Sequence, residues 1–438
     1  MRGTDYLRQV ANARADGRAL GVYSVCSANR FVLLAAMHQA RTDDSVLLIE
    51  STSNQVNQLG GYTGITPAGF VSHVRELALK AGLPEGRIIL GGDHLGPNPW
   101  QSEAAASAMD KARELVRQYV RAGYTKMHLD TTMRLADDPG AADTPLDDAT
   151  ITERTADLAD VAEATHRELP PGSPAPLYVI GTDVPPPGGE HGSEGRLWVT
   201  SAEEAERTIE LTRVTFERRH LAAAFERVVG IVVQPGVEFG DGKVFEYDRE
   251  RAAPLKALIE AHPGRVYEAH STDYQTAAGL KELVEDHFCI LKVGPWLTFA
   301  FREGLFALEN IEREWLSGRA GVELSGLRGV MESVMLRQPV HWASYYRGDE
   351  AERRLSRSFS FSDRIRYYWP QPEAETAVAR LISNLSASPI PLSLVAQYLP
   401  VQYNLLRQGS LGRGPRDLIT HKILAVLDAY AGACHMKG

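Results

Sequence analysis

Cysteine is scarce: Cys26, Cys289 and Cys434 are the three in 438 residues. So few and so scattered, they exclude a disulfide framework and a cysteine-based zinc site, and they fit a reducing compartment. No basic block occurs, and the 47 lysines and arginines are outnumbered by 56 aspartates and glutamates. A net charge of -9 argues against a nucleic-acid partner, because such surfaces displace counterions with clustered cations. No apolar run reaches the roughly 18 residues that span a bilayer, and Met1-Arg2-Gly3-Thr4-Asp5 opens no apolar signal core. No membrane partner and a cytoplasmic location are therefore expected. A Gly-x-x-x-x-Gly-Lys-Ser/Thr phosphate loop and a kinase signature set are also missing, which leaves ATP-dependent phosphorylation without a motif. The nearest thing to a low-complexity tract is Pro185-Pro186-Pro187-Gly188-Gly189, either a stiff surface loop or a substrate-facing one.

What is present is an ordinary globular composition, 44% hydrophobic and 24% charged, in a chain long enough for a barrel plus a smaller unit. Short strand-like runs at 21–26, 45–50, 87–92, 126–130, 177–181, 229–234, 265–269 and 288–293 alternate with amphipathic segments at 29–41, 67–82, 102–122, 151–167, 201–218, 251–262, 272–286 and 297–314. Thr66-Pro67 and Ser201-Ala202-Glu203-Glu204 are helix start signals. Eight strand–helix units in this order predict an α/β fold of the TIM (β/α)8 type over 1–320; a doubly wound open sheet rarely needs so many. After 320 the alternation stops. Segments 325–338, 349–358, 373–385, 391–408 and 415–431 predict a helical C-terminal extension over 321–438, packed on the barrel. Within it, 358–370 is dense in aromatics and arginines, as a lid or an interface would be.

Function is to be sought at the carboxyl ends of the strands, where barrel active sites form. The connections 51–66, 131–150, 182–200 and 235–250 are long there. The most telling stretch is Ile88-Ile89-Leu90-Gly91-Gly92-Asp93-His94-Leu95-Gly96-Pro97-Asn98-Pro99. An apolar strand ends in two glycines and then delivers an acid beside an imidazole, both poor strand-interior residues. Other polar groups converge from neighbouring strands: Glu50, the face Lys126/His128/Asp130, Gln234 with Glu238 after it, and the face Glu268/His270. Each alone reads as a satisfied buried or capping residue; five strands together read as a site. A divalent metal needs about three side-chain ligands and an open position. His94 and His270 are the best candidates, Glu238 third; His128 ranks lower because it lies one alternation deeper than Asp130, and His191 falls in a loop that reads as solvent-exposed. Lys126 and Lys292 are either Schiff-base lysines or partners of neighbouring acids, the second being the commoner case.

The segments Ser24-Val25-Cys26-Ser27-Ala28-Asn29, Glu50-Ser51-Thr52-Ser53-Asn54-Gln55-Val56-Asn57-Gln58, Gly60-Gly61-Tyr62-Thr63-Gly64, Gly91 to Asn98, Gln234-Pro235-Gly236-Val237-Glu238-Phe239 and Phe361 to Trp369 resemble the Z-type subunit of D-tagatose-1,6-bisphosphate aldolase, a family some of whose members carry the name tagatose-6-phosphate kinase. The resemblance covers nearly the whole chain. It implies kinship with class II aldolases, zinc-dependent TIM barrels in which an Asp is the acid/base and the adjacent His binds zinc, the positions matched by Asp93 and His94. His270, followed by Ser271-Thr272, resembles the second zinc ligand. The remaining ligand, a His at the end of strand six, has no match in Gln234-Pro235-Gly236-Val237-Glu238. Either Glu238 replaces it, giving a His, His, Glu set for Zn2+ or another divalent metal, or the barrel survives as a scaffold. Glu50, Asn98, Asp130, Gln234, Glu268 and Ser271 are candidates for contacts to a sugar phosphate or ketose, with Arg302 for phosphate. Relatives carry an Asn-Asp-rich turn after strand eight where this chain reads Lys292-Val293-Gly294-Pro295-Trp296.

Two functions stay open at this stage. The resemblance implies an accessory subunit in hexitol or tagatose catabolism, including galactitol, that stabilises a Y-type catalytic aldolase subunit through an apolar or aromatic surface, for which 361–369 is the candidate. The residues themselves allow a metal-dependent aldolase or ketose 4-epimerase in its own right, as a monomer or a homo-oligomer. Kinase activity is a distant third.

Overall fold

Most of the strand-like runs are rich in β-branched and apolar residues on both faces, the pattern of strands covered on both sides, and all eight pair in parallel. They are β1 (Val22–Val25), β2 (Leu47–Thr52), β3 (Ile88–Leu95), β4 (Lys126–Leu129), β5 (Leu177–Ile180), β6 (Val228–Val233), β7 (Val266–Ala269) and β8 (Phe288–Val293). Each neighbours the next, and β8 pairs with β1 to close the barrel. The chain is a (β/α)8 barrel with further helices after it. The structure, a computed structural model, describes residues 3–13, 17–141, 144–182 and 197–435. Pro185 to Gly189 and His191 lie outside the described residues. Among the described residues no helix is long and apolar enough to cross a membrane.

The helix start signals act as read. Thr66 caps Pro67–Ala81 through Gly69 N, and Ser201 and Glu204 close a reciprocal capping box on Ala202–Arg218. Three features depart from the sequence reading. A helix at Gly3–Ala13 carries the period Leu7, Val10, Ala11 on its buried face and closes the amino-terminal mouth, its Tyr6 hydroxyl donating to Gly21 O at 3.2 Å. The connection after β6 folds into a small hairpin, Glu238–Phe239 against Val244–Phe245. The expected helix over 391–408 is two helices, Leu392–Tyr398 and Pro400–Arg407, because Pro400 lacks an amide proton and forces Leu399 out of helical geometry, at φ -140° and ψ 61°.

The terminal helix, Pro415–Ala433, packs between Arg30–Thr42, Ala277–Glu285 and Pro295–Leu316, so it joins the ring of helices around the strands. Tyr430 donates to Thr272 O at 2.8 Å, and Gly21 N donates to Cys434 O at 3.1 Å. The far end of the sequence thus reaches the turn that follows His270. The segment 361–369 is turned inward: Ile365, Tyr368 and Trp369 are buried. It is not the exposed partner surface expected from its composition.

Candidate functional site

Consecutive residues of a regular strand point to opposite faces, so Asp93 and His94 should not both face the barrel mouth. They do because the β3–β4 register shifts between Gly92 and Leu95, and His94 takes φ 47°, a left-handed conformation unusual for a residue with a Cβ. Strain of this kind persists where its surroundings enforce it, and it marks functional sites. The neighbouring glycines make room. A Cβ on Gly91 would lie 2.6 Å from Glu50 Cγ, and one on Gly96 only 1.7 Å from the backbone oxygen of Asp130. Replacing Gly96 with alanine must displace β4 at Asp130, so a loss of more than about 2 kcal/mol is expected in denaturant unfolding; a loss below about 0.5 kcal/mol would show that the turn is looser than described.

Three imidazoles meet at the mouth. The rings of His94, His128 and His270 have centroids 5.0 to 5.1 Å apart. Each is held through one nitrogen by a carboxylate: His94 Nδ1 by Asp130 Oδ2 at 2.7 Å, His270 Nε2 by Glu268 Oε1 at 3.0 Å, and His128 Nδ1 by Asp93 Oδ1 at 3.0 Å. The amide of His94 also donates to His128 Nδ1, at 3.1 Å. Burial pushes the His270 ring down to about 3, against the opposing pull of Glu268, so it is neutral at neutral pH.

One ligand atom each from Asp93, His94, His128 and His270 lies within 4.8 Å of all the others, and His128 Nε2 is buried with no hydrogen-bond partner. Clustered imidazoles, each with a carboxylate on one ring nitrogen, are the arrangement of a metal site with its outer shell. The residues present fit a divalent ion.

Beneath this layer lies a buried ionic network. Lys126 Nζ is 2.6 Å from both Glu50 Oε1 and Glu268 Oε2. Lys292 Nζ pairs with Glu50 Oε2, with Asp93 Oδ1 at 2.7 Å and with Glu268 Oε1 at 3.7 Å. Burial alone would lower the Lys292 ammonium, but Asp93, Cys26, Glu50 and Glu268 outweigh it and hold the group well above the usual lysine range. A lysine so firmly protonated is a poor Schiff-base nucleophile. The structure thus favours the paired reading of both lysines.

Other expected site residues divide by position. Asn98, Ser271 and Lys292 line the cavity with Asp93, His94 and His270. Asp130, Glu50 and Glu268 act behind it, on imidazoles and ammoniums. Gln234 Oε1 accepts from Gly236 N at 2.8 Å and shapes the turn after β6. Two positions need correction. Glu238 is not in the ligand cluster: it sits in the hairpin, where its Oε1 accepts from Phe239 N at 2.9 Å, and His128 stands where a third ligand was sought. Arg302 does not line the cavity; its Nε donates to Asp363 Oδ1 at 2.8 Å and its guanidinium lies 4.0 Å over the Phe299 ring.

Sequence reasoning also missed Arg364, Arg366 and Tyr367, which line the same cavity. Their signal was the aromatic- and arginine-rich stretch itself, which covers the mouth of its own barrel.

Comparison with known proteins agrees with this architecture. A crystal structure described as a probable tagatose 6 phosphate kinase from Sinorhizobium meliloti 1021 is 46% identical, with a TM-score of 0.86 over 94% of this chain and 100% of that one. The YdjI aldolase from Escherichia coli K12 is 12% identical with a TM-score of 0.43, covering 84% of this chain and 97% of its own. Fructose-bisphosphate aldolase from Campylobacter jejuni is 14% identical with a TM-score of 0.47, covering 89% and 94% respectively. Likenesses as distant as the last two carry nothing about chemistry. A family model matches residues 7–435, and the chain belongs to the GatZ/KbaZ-like family of D-tagatose-1,6-bisphosphate aldolase subunits.

Proposed function

We propose that this chain is a metal-dependent ketose or ketose-phosphate lyase or 4-epimerase, working by reversible aldol cleavage. The observation that carries this reading is the set of three imidazoles, each anchored by its own carboxylate, with a ligand atom of each within 4.8 Å of the others and of Asp93. Inherited scaffolding has no need of so costly a buried arrangement. His94, His128 and His270 would hold a divalent ion, Zn2+ being suited to nitrogen donors, and such an ion supplies a Lewis acid for a ketose carbonyl. Asp93 takes the proton from the C4 hydroxyl as the C3–C4 bond breaks, and the electron pair of that bond moves toward the C2 oxygen. Re-forming the C3–C4 bond on the other face of the turned aldehyde, with the proton going back from Asp93 to the C4 oxygen, gives the C4 epimer; releasing the aldehyde and protonating C3 of the remaining enediolate gives the lyase products.

The test is elemental analysis and turnover of the purified chain alone, on tagatose 1,6-bisphosphate and unphosphorylated ketoses. Expected are roughly one divalent ion per chain and measurable turnover, with both lost in His128→Ala. A metal-free chain that turns over nothing defeats the proposal.

A second reading is favoured by the family's description as an aldolase subunit. On that reading the chain stabilises a separate Y-type catalytic subunit in hexitol catabolism. Turnover that appears only when such a partner is added supports it.

A further inference from the structure

In the chemistry above Asp93 carries a proton, and its two oxygens are not equally placed to do so. The χ2 torsion of an aspartate is broad and roughly two-fold, so its oxygens interchange unless the surroundings tell them apart. Here they differ. Oδ1 is 2.7 Å from Lys292 Nζ and 3.0 Å from His128 Nδ1. Among the described residues Oδ2 accepts no hydrogen bond, and it lies 3.8 Å from His94 Nε2. The hold of His128 on Oδ1 is contested, because the amide of His94 donates to the same Nδ1 at 3.1 Å. A ring nitrogen that accepts from an amide has no hydrogen left for a carboxylate, which leaves the ion pair with Lys292 as the contact that fixes Oδ1.

Lys292 is itself held in place. It sits on β8 beside Ser24 of β1, its backbone oxygen accepts from Thr272 Oγ1 at 2.6 Å, and its ammonium donates to Glu50 Oε2. The other oxygen of Glu50 is 2.6 Å from Lys126 Nζ, so the carboxylate that anchors the ammonium is anchored in turn. Gly91 leaves the room that Glu50 occupies, which carries the chain of contacts from a bare strand position through Glu50 and Lys292 to Asp93. Lys292 is thus the joint between the ionic layer and the cavity, which it lines together with Asp93.

We propose that Lys292 is a positioning residue: by holding Oδ1 it makes Oδ2, the oxygen beside His94 Nε2, the atom that takes the proton from the C4 oxygen and returns it. The inference rests on the ketose reading above and adds the role of one residue and the identity of one atom. Lys292 gives up no proton and forms no bond in the cycle. The hydrogen moves from the C4 hydroxyl to Oδ2 as the C3–C4 bond breaks, and back as that bond re-forms. Orientation sets the rate steeply, since a misplacement of about 1 Å can cost about 10²-fold.

The test has to separate position from folding. Lys292→Met alone would strip a cation from a cluster of buried carboxylates, so it is combined with Glu50→Gln, which removes one charge of the opposite sign. Lys292→Arg, which keeps the charge, is the second variant. Full-length wild type and both variants are crystallised without substrate and assayed, with elemental analysis for metal and unfolding midpoints to check the fold. In the wild type Asp93 is expected in one orientation, with Oδ1 on Lys292; in the double variant the carboxylate should turn about χ2 or take two orientations. On whichever of tagatose 1,6-bisphosphate and the unphosphorylated ketoses the wild type turns over, kcat of the double variant should fall about 10–10²-fold while KM and metal content stay near wild-type values. Lys292→Arg should keep a single orientation and lose less. An Asp93 that holds its wild-type orientation in the double variant overturns the proposal. So does wild-type kcat in either variant once Asp93 has left its partner at position 292, and so does loss of metal together with turnover. A wild-type chain that turns over no ketose sinks the ketose reading, and the crystal structures still decide whether Lys292 holds Asp93.

Discussion

Replacing Lys126 with methionine is expected to destabilise the fold by about 3–5 kcal/mol, the usual consequence of deleting one partner from a buried ion pair. Lys126 is fully buried and bridges Glu50 and Glu268, each at 2.6 Å. Without it Glu50 and Glu268 share the single ammonium of Lys292 with Asp93. The sign of the pH dependence follows from Glu268. Burial would raise its carboxyl, but Lys126 and Lys292 outweigh burial and hold it well below the ordinary glutamate value. A depressed folded-state value stabilises the protein above the unfolded-state value and is lost as pH falls through the folded one. The deficit of the variant should therefore be largest near neutral pH and shrink as the pH falls below about 4.5, where glutamates of the unfolded chain protonate. Adding Glu50→Gln to Lys126→Met should cost much less than the two separate changes together, because the double variant removes one charge of each sign. Guanidinium unfolding at several pH values measures all of this. A deficit below about 1 kcal/mol at neutral pH would mean that water or local rearrangement relieves the network.

That network explains which parts of the protein the sequence discloses. The barrel was legible because its strands are short, apolar on both faces and separated by segments of helical period, and each of those signals is local. Asp93 and His94 were legible because an acid and an imidazole have no business at the end of such a strand unless chemistry needs them. His128 was undervalued for a physical reason: simple alternation assumes regular strands, and the register shift after Gly92 with the left-handed His94 re-aims β3 so that its side chains meet those one step deeper on β4. Glu238 lies outside the histidine cluster because its loop forms a hairpin, where its carboxylate accepts from the amide of Phe239. Arg302, the candidate for phosphate, does not face the cavity, and Arg364, to which the sequence reading gave no role, lines it. Only the packing of Pro295–Leu316 against the cover segment decides that one guanidinium holds Asp363 and the other faces the cavity.

The carboxylate on which the proposed chemistry turns gives the second large effect: Asp93→Asn is expected to lower kcat by about 10²–10⁴-fold while metal content stays near that of the wild type. Asn keeps the size of the side chain and an oxygen that can accept from His128, whereas it cannot take up a proton. In the wild type, burial would raise the Asp93 carboxyl, but His94, Lys292 and the contact from His128 outweigh it and hold it well below the usual aspartate range. It is anionic at neutral pH. A group so held stays ionised well into acid, so any acidic limb of the kcat/KM profile at mildly acidic pH should belong to another residue. The imidazoles of His94 and His270 retain their own anchors, Asp130 and Glu268, in the variant. Loss of turnover with metal retained therefore identifies Asp93 as the proton carrier. Wild-type turnover in Asp93→Asn would reject that role, and loss of metal together with turnover would make Asp93 a holder of the ion instead.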